Sequence, residues 1–278
     1  MKRLLTAAVG VPLVLLAVFR APGWLFFLLL AFFFSWAALE FVALVRPLAP
    51  RAPFRLLLAT GPAVAAVIAA AIDPALFPSV WPALSSAHAT LLGASLLAIV
   101  PPIAVIAARV DVSHGVPALA ILSWGTVYFA APITSLTLLQ RRPWIFFLLL
   151  AIVWLGDTAA YYIGSRWGRR KLAPVLSPKK SWEGAIAGLV TSLAATVVWS
   201  FWREGRFDGA LLAVAAATAI AAQFGDLVES LVKRAAGVKD SGGILPGHGG
   251  IYDRLDAMFL AAPVMLVGLW LAGHAAAQ

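Results

Sequence analysis

Cysteine is absent from this chain, and charged side chains are scarce. The first absence excludes disulfides, thiolate metal ligands and a cysteine nucleophile, and leaves the redox compartment open. The second says more. Only 12% of the 278 residues are Asp, Glu, Lys or Arg, while 62% are hydrophobic; a soluble domain carries roughly a quarter charged residues. The deficit points to an all-α polytopic membrane protein. No internal repeat, heptad pattern or soluble domain interrupts the apolar runs, and no nucleic-acid partner is expected. The net charge of +9 is compatible with anionic ligands, but positive loops that orient a membrane protein explain it equally well.

Runs long enough to cross a bilayer need about 17–25 residues. Nine are read: 4–19, 24–45, 56–72, 90–108, 118–139, 144–163, 184–202, 209–231 and 257–273. Pro12 interrupts the first, Pro101 and Pro102 are expected to kink the fourth, and Pro132 weakens the fifth. The beginning, MKRLLTAAVGVPLVLLAVF, resembles a signal peptide, but no small-x-small cleavage site follows, so an uncleaved first span is expected. With the N-terminus inside, the outer loops hold only Arg20, Arg141, Arg142, Arg203 and Arg206 of the 21 basic residues. That split favours an odd span count with the chemical loops facing the cytoplasm.

Residues 1–143 offer little besides spans. Glu40 is placed to pair with Arg46, and Asp73, His88, Asp111 and His114 read as solvated loop residues. Residues 144–278 read as the catalytic region. Asp157 lies inside the sixth apolar run, roughly 9 Å from its cytoplasmic end at 1.5 Å per residue. A carboxylate there is costly and is usually functional or ion-paired, here with an arginine of the following loop. Tyr161 shares its helical face. Ser177-Pro178-Lys179-Lys180-Ser181 reads as a compact turn whose lysines meet phosphate oxygens, and Glu183 opens the next helix. Lipid-headgroup anchoring accounts for the basic loop equally well on charge alone.

The polar stretch from Gln223 to Asp256 departs furthest from the rest. Asp226, Glu229, Ser230 and Lys233 stand at i, i+3, i+4 and i+7, one face of a helix. Asp240, Asp253 and Asp256 follow, with six glycines between Gly237 and Gly250. Glycine lets backbone N–H groups approach phosphate closely. Neither G-x-x-x-x-G-K-[ST] nor a G-x-G-x-x-G context is present. Oxygen ligands without cysteine favour Mg²⁺ over zinc. His248 is better suited to a phosphate or backbone hydrogen bond than to a metal. Charge placement alone divides evenly between an enzyme and a transporter.

The run Ser230-Leu-Val-Lys233-Arg234, then Lys239-Asp240-Ser-Gly242-Gly-Ile-Leu245-Pro246-Gly-His248-Gly249-Gly250-Ile-Tyr-Asp253-Arg254-Leu-Asp256, resembles the signature of the phosphatidate cytidylyltransferases (CDP-diacylglycerol synthases). A second stretch fits the same family: Asp157-Thr158, Tyr161, Gly164, Gly168, Lys171-Leu172, Pro174, Ser177 to Ser181 and Glu183-Gly184. The resemblance covers roughly residues 150–260; before it, only the series of spans matches. It implies a membrane enzyme of nine or so helices, often a homodimer, that joins CTP to phosphatidic acid and releases pyrophosphate. It also implies Mg²⁺, with a monovalent cation such as K⁺ beside it. The family's metal-binding aspartates fall on Asp226 and Asp253, and Asp256 is expected to support them.

On this reading Lys180, Lys233 and Lys239 join Asp226 and Asp253 in catalysis. Asp157, Tyr161, Ser177, Lys179, Ser181 and Ser230 are expected at the substrates. So are Arg234, Asp240, His248, Gly249, Gly250 and Arg254. A CTP-dependent kinase of a lipid alcohol such as a polyprenol, and an anion or lipid transporter, are the competing readings. The kinase needs a base for a neutral hydroxyl and yields CDP; transport leaves its substrate unchanged. The arginine-rich, alanine-rich composition suggests a bacterial inner membrane.

Overall fold

The computed structural model describes residues 2–76, 86–242 and 249–274. Nine α-helices fall among them: α1 (Lys2–Arg20), α2 (Gly23–Val45), α3 (Leu57–Ile72), α4 (Ser86–Ala107), α5 (Val112–Gln140), α6 (Pro143–Trp167), α7 (Trp182–Glu204), α8 (Gly209–Ala235) and α9 (Tyr252–Leu271). Each expected apolar run has become one helix. Within the described residues, seven helical segments are long and apolar enough to cross a membrane; Gly10–Arg20 and Leu91–Ala107 are shorter apolar helices. The chain is therefore read as a polytopic helical membrane protein.

Helices α1, α3, α4, α5 and α9 run through internal prolines, including the Pro101-Pro102 pair. Apolar surroundings leave a backbone little alternative to helix, because exposed peptide groups find no water partner there. Helix α5 begins at Val112 rather than 118 and takes in Pro117 and His114, and α4 includes His88. Those two histidines are thus helical, not in loops. Asp111 and Asp73 are in loops as expected, but each is ion-paired: Arg51 with Asp111 at 2.8 Å, and Arg141 with Asp73 at 2.7 Å. Each pair joins two loops that the odd-span topology puts on one side.

The chain divides into two compact units. The first comprises Met1–Arg141 and Ala235–Leu255. In it α3 packs against α2, α4 and α5, with hydroxyl contacts between Thr60 and Thr126 (3.1 Å) and from Ser35 to the Leu58 carbonyl (3.1 Å). Phe41, Trp124, Tyr128, Phe129 and Tyr252 form an aromatic cluster, with Trp124 stacked on Tyr128 at 4.4 Å.

The second unit comprises Arg142–Arg234 and Asp256–Gln278. In it α6 packs extensively against α7. Small residues recur every four positions on both: Gly156, Ala160 and Gly164 face Gly184, Gly188 and Ser192. A Cβ on Gly188 would lie 2.9 Å from the Gly156 carbonyl, and Ser192 donates to the Ile152 carbonyl at 2.8 Å. Small side chains let membrane helices approach closely and bond across the seam. Between these helices Lys171–Ala173 (β1) pairs antiparallel with Ser177–Ser181 (β2). The segment expected as a compact turn is thus an extended strand; Pro174, Val175 and Leu176 make the reversal instead.

Candidate active site

Helix α8 and the start of α9 supply three carboxylates. Gly225 sets their spacing, since a Cβ there would collide with the Asp256 carbonyl oxygen and lie 3.2 Å from the Cα of Ala257. Only glycine allows that approach, and the next residue on α8 is Asp226. One oxygen from each of Asp226, Glu229 and Asp256 lies within 4.8 Å of the others. Three hard oxygen donors, with no cysteine in the chain and no histidine in the cluster, suit Mg²⁺ better than a softer metal. The donor set therefore fits the metal that the sequence implied. Asp226 and Asp256 were expected in it; Glu229 was read on the same stripe but not as a ligand.

Ammonium groups accompany these carboxylates. Lys180 Nζ lies 2.6 Å from Asp226 Oδ2, and Lys233 Nζ lies 2.6 Å from Glu229 Oε2. The Glu229 side chain is only 2% exposed and that of Lys233 12%. Asp157 interacts electrostatically with Asp226 and Lys180, and Asp256 with Asp157, Asp226 and Lys180. The charges acting on Asp157 are thus those of the cluster, not of a loop arginine. Helix α6 also continues to Trp167, so Asp157 stands about 15 Å from its end rather than 9 Å.

The hairpin delivers Lys180. In an extended strand successive side chains leave opposite faces, which separates Lys180 from its exposed neighbour Lys179. Ser181 is buried and caps α7, accepting a hydrogen bond from the Gly184 N–H at 3.2 Å. Glu183 accepts from the Arg170 N–H, and the Trp182 N–H donates to the Arg170 carbonyl. Arg234 Nε donates to the Leu176 carbonyl at 3.2 Å, fixing the hairpin's reversal to the end of α8. Ser177 is half-buried, Ser230 is buried and Tyr161 is exposed.

The rest of the signature belongs to the first unit. Lys239, Asp240 and Arg254 are exposed. His248 lies outside the described residues. Asp253 Oδ2 accepts from the Gly250 N–H at 2.8 Å and the Ser241 N–H at 3.2 Å. Gly249 has φ +74°, and a Cβ on it would strike Asp253 Oδ2, so both conformation and space require glycine. Glu40 accepts from the Ser241 hydroxyl and from the N–H groups of Ile251 and Tyr252. Its expected pairing with Arg46 is replaced by these backbone and hydroxyl donors, which come from over 200 residues away.

The sequence of the cluster and its loop now carries a comparison. Residues 1–272 match the model of the cytidylyltransferase family. The chain belongs to that family. Among curated relatives, a phosphatidate cytidylyltransferase of Haemophilus influenzae is 42% identical over 125 residues, covering 42% of this chain and 43% of the relative. One from Staphylococcus haemolyticus is 49% identical over 115 residues, 41% of this chain and 44% of the relative. One from Rickettsia bellii is 38% identical over 159 residues, 53% of this chain and 69% of the relative. The match spans about half the length of the first two relatives. The family assignment agrees with the resemblance carried by Ser230 to Asp256 and by the Asp157 stretch.

Proposed function

We propose that this chain transfers the cytidylyl group of CTP to phosphatidic acid, giving CDP-diacylglycerol and pyrophosphate. The observation that carries the reading is the Asp226–Glu229–Asp256 cluster with Lys180 and Lys233 at 2.6 Å from two of its members. Family membership and the names of the curated relatives support it.

The lipid's phosphate monoester oxygen attacks the α-phosphorus of CTP; that P–O bond forms as the bond to the departing pyrophosphate breaks. The attacking oxygen is already anionic near neutral pH, so positioning and charge neutralisation suffice. Asp226, Glu229 and Asp256 are the residues that would hold Mg²⁺, which when bound supplies positive charge at the phosphates. Lys180 leaves Asp226 for a triphosphate oxygen, and Lys233 does the same from Glu229. Each ammonium thereby stays paired throughout, first with carboxylate and then with phosphate. The resemblance also gives Asp253 to the metal and Lys239, Arg234 and Arg254 to phosphate charge; these assignments rest on the signature. Asp157 and Tyr161 are assigned to the substrate on the same ground.

The split of basic residues supports a site facing the cytoplasm, and the bacterial relatives support a bacterial membrane. A homodimer and a monovalent cation beside Mg²⁺ rest on the resemblance alone. The test uses purified protein in detergent with phosphatidic acid, Mg²⁺ and CTP labelled in the α-phosphate. Label passing into the chloroform phase, with pyrophosphate in the water, is the expected result. Label remaining in water as CDP, with the γ-phosphate on lipid, would identify a kinase instead.

A further inference from the structure

Glu40 lies on α2, far in sequence from every residue that the signature names, yet it is the acceptor on which the signature's glycine-flanked corner closes. Its side chain is buried, with the residue 6% exposed. Oε1 accepts from the Ile251 N–H at 3.1 Å; Oε2 accepts from the Tyr252 N–H and the Ser241 hydroxyl, both at 2.9 Å. The backbone comes close on both flanks. A Cβ on Gly242 would lie 2.8 Å from Oε1, and one on Gly250 would strike Oε2 and the Ser241 hydroxyl. The adjacent α2 residue, Phe41, meets the Tyr252 ring edge-to-face at 5.9 Å.

Packing alone does not call for this residue. Burying a carboxylate costs several kcal/mol unless donors compensate it, and an apolar side chain would fill the space without that cost. Here three donors and the positive end of α9 compensate the charge. What the carboxylate adds over an apolar group is direction. It fixes the N–H groups of residues 251 and 252 at the start of α9, immediately before Asp253, and ties Ser241 to the same point. Asp253 Oδ2 closes the network by accepting from the N–H groups of Ser241 and Gly250.

We infer that Glu40 is a positioning residue for cytidylyl transfer: it clamps residues 241–242 and 250–252 and so sets the orientation in which α9 presents Asp253. The inference rests on the proposed function for its catalytic consequence, and on geometry alone for the clamp. A glutamine cannot replace the carboxylate. Its amide nitrogen would face N–H or O–H donors in place of one oxygen.

The experiment compares wild type, Glu40→Gln and Glu40→Asp by amide hydrogen exchange and by steady-state turnover of CTP. Exchange at Ile251 and Tyr252 should rise at least about tenfold in Glu40→Gln, the loss expected when a charged acceptor goes. Exchange in α3 and α7 should not change. The kcat per folded molecule should fall about 10- to 100-fold, as for partners that orient a ligand, with KM for CTP changing far less. Glu40→Asp, which keeps the charge, should recover part of both. Unchanged exchange at the corner, or exchange raised throughout the chain with normal kcat per folded molecule, would overturn the inference. If Glu40→Gln does not fold, Ser241→Ala and Gly250→Ala disturb the same contacts locally. Wild-type exchange and kcat in both would overturn it as well. A wild-type protein that leaves CTP untouched would refute the proposed function while the exchange data still decide the clamp.

Discussion

Carboxylates are used in two ways in this molecule. In the first unit, Glu40 and Asp253 accept from backbone N–H groups and a serine hydroxyl fixed to the chain. In the second, Asp226 and Glu229 are bonded to the ammonium ends of lysines. A backbone donor cannot be withdrawn without remaking the corner it belongs to. A lysine, on a flexible four-carbon stem, can pass from carboxylate to phosphate and stay paired. The first arrangement holds backbone in place; on the proposed function, the second is the one that would exchange with an anionic substrate and a cation. Chemistry should therefore be sensitive to charge in the second and to geometry in the first.

The largest effect should come from removing charge in the exchangeable group. Asp226→Asn should lower kcat about 100- to 1,000-fold, on the scale of losing one stabilising group at a reacting phosphate, while circular dichroism stays at the wild-type helical content. Full magnesium-dependent turnover in a folded Asp226→Asn protein would break the distinction.

Glu229→Gln sharpens it. A Mg²⁺ titration of activity should need about 10- to 100-fold more metal, with amide exchange at residues 250–252 unchanged. Asp253→Asn should raise exchange at Ser241 and Gly250 in addition to any loss of rate, because its Oδ2 holds those two N–H groups. Identical exchange profiles for the two variants would remove the contrast.

Gly225→Ala tests the spacing that brings Asp226 beside Asp256. The new methyl meets backbone, which cannot yield as a side-chain tip would, so a loss of about 1–3 kcal/mol is expected. Thermal unfolding in detergent reads it, and turnover at a temperature where the variant is folded should also drop.

The smallest effect belongs to a carboxylate outside both groups. Asp208, in the connection before α8, accepts from the Leu211 N–H at 2.9 Å and lies 2.6 Å from His274 Nε2. The Leu211 hydrogen bond first, and His274 second, hold its carboxyl below the usual aspartate range. A depressed folded-state value contributes stability above the unfolded pKa of about 4 and loses it as pH falls through the folded value. Asp208→Asn should therefore lower the melting temperature slightly at pH 7, and the difference should shrink as pH falls through the folded value. An unchanged difference across that range would contradict the sign.

The helices were legible because apolar length is a local signal, and a peptide group in lipid has few conformations open to it. The stripe Asp226–Glu229–Ser230–Lys233 was legible for the same reason, being set by helical periodicity. Glu40 was misread because its partner Ser241 lies 201 residues away; Arg46, its nearest cation in sequence, was the local guess. Ser177 to Ser181 was misread because proline and serine suggest a turn, whereas pairing with Lys171–Ala173 extends the segment. The small residues at 156, 160, 164 and at 184, 188, 192 went unread in the sequence, because only their partners show that they form one seam. Glu229 stood on the right face; its grouping with Asp256 required the approach of α9 at Gly225.

One measurement reaches the central claim most directly: Mn²⁺ binding, followed by electron paramagnetic resonance, to purified wild type, Asp226→Asn and Glu40→Gln, with and without CTP. Mn²⁺ shares the preference of Mg²⁺ for oxygen ligands. Wild type should bind the ion, CTP should tighten the binding, and Asp226→Asn should lose it, while Glu40→Gln, which disturbs only the corner that orients Asp253, should weaken it far less. Equal binding by wild type and Asp226→Asn would contradict the account, because the carboxylates of α8 would then not be the metal's ligands.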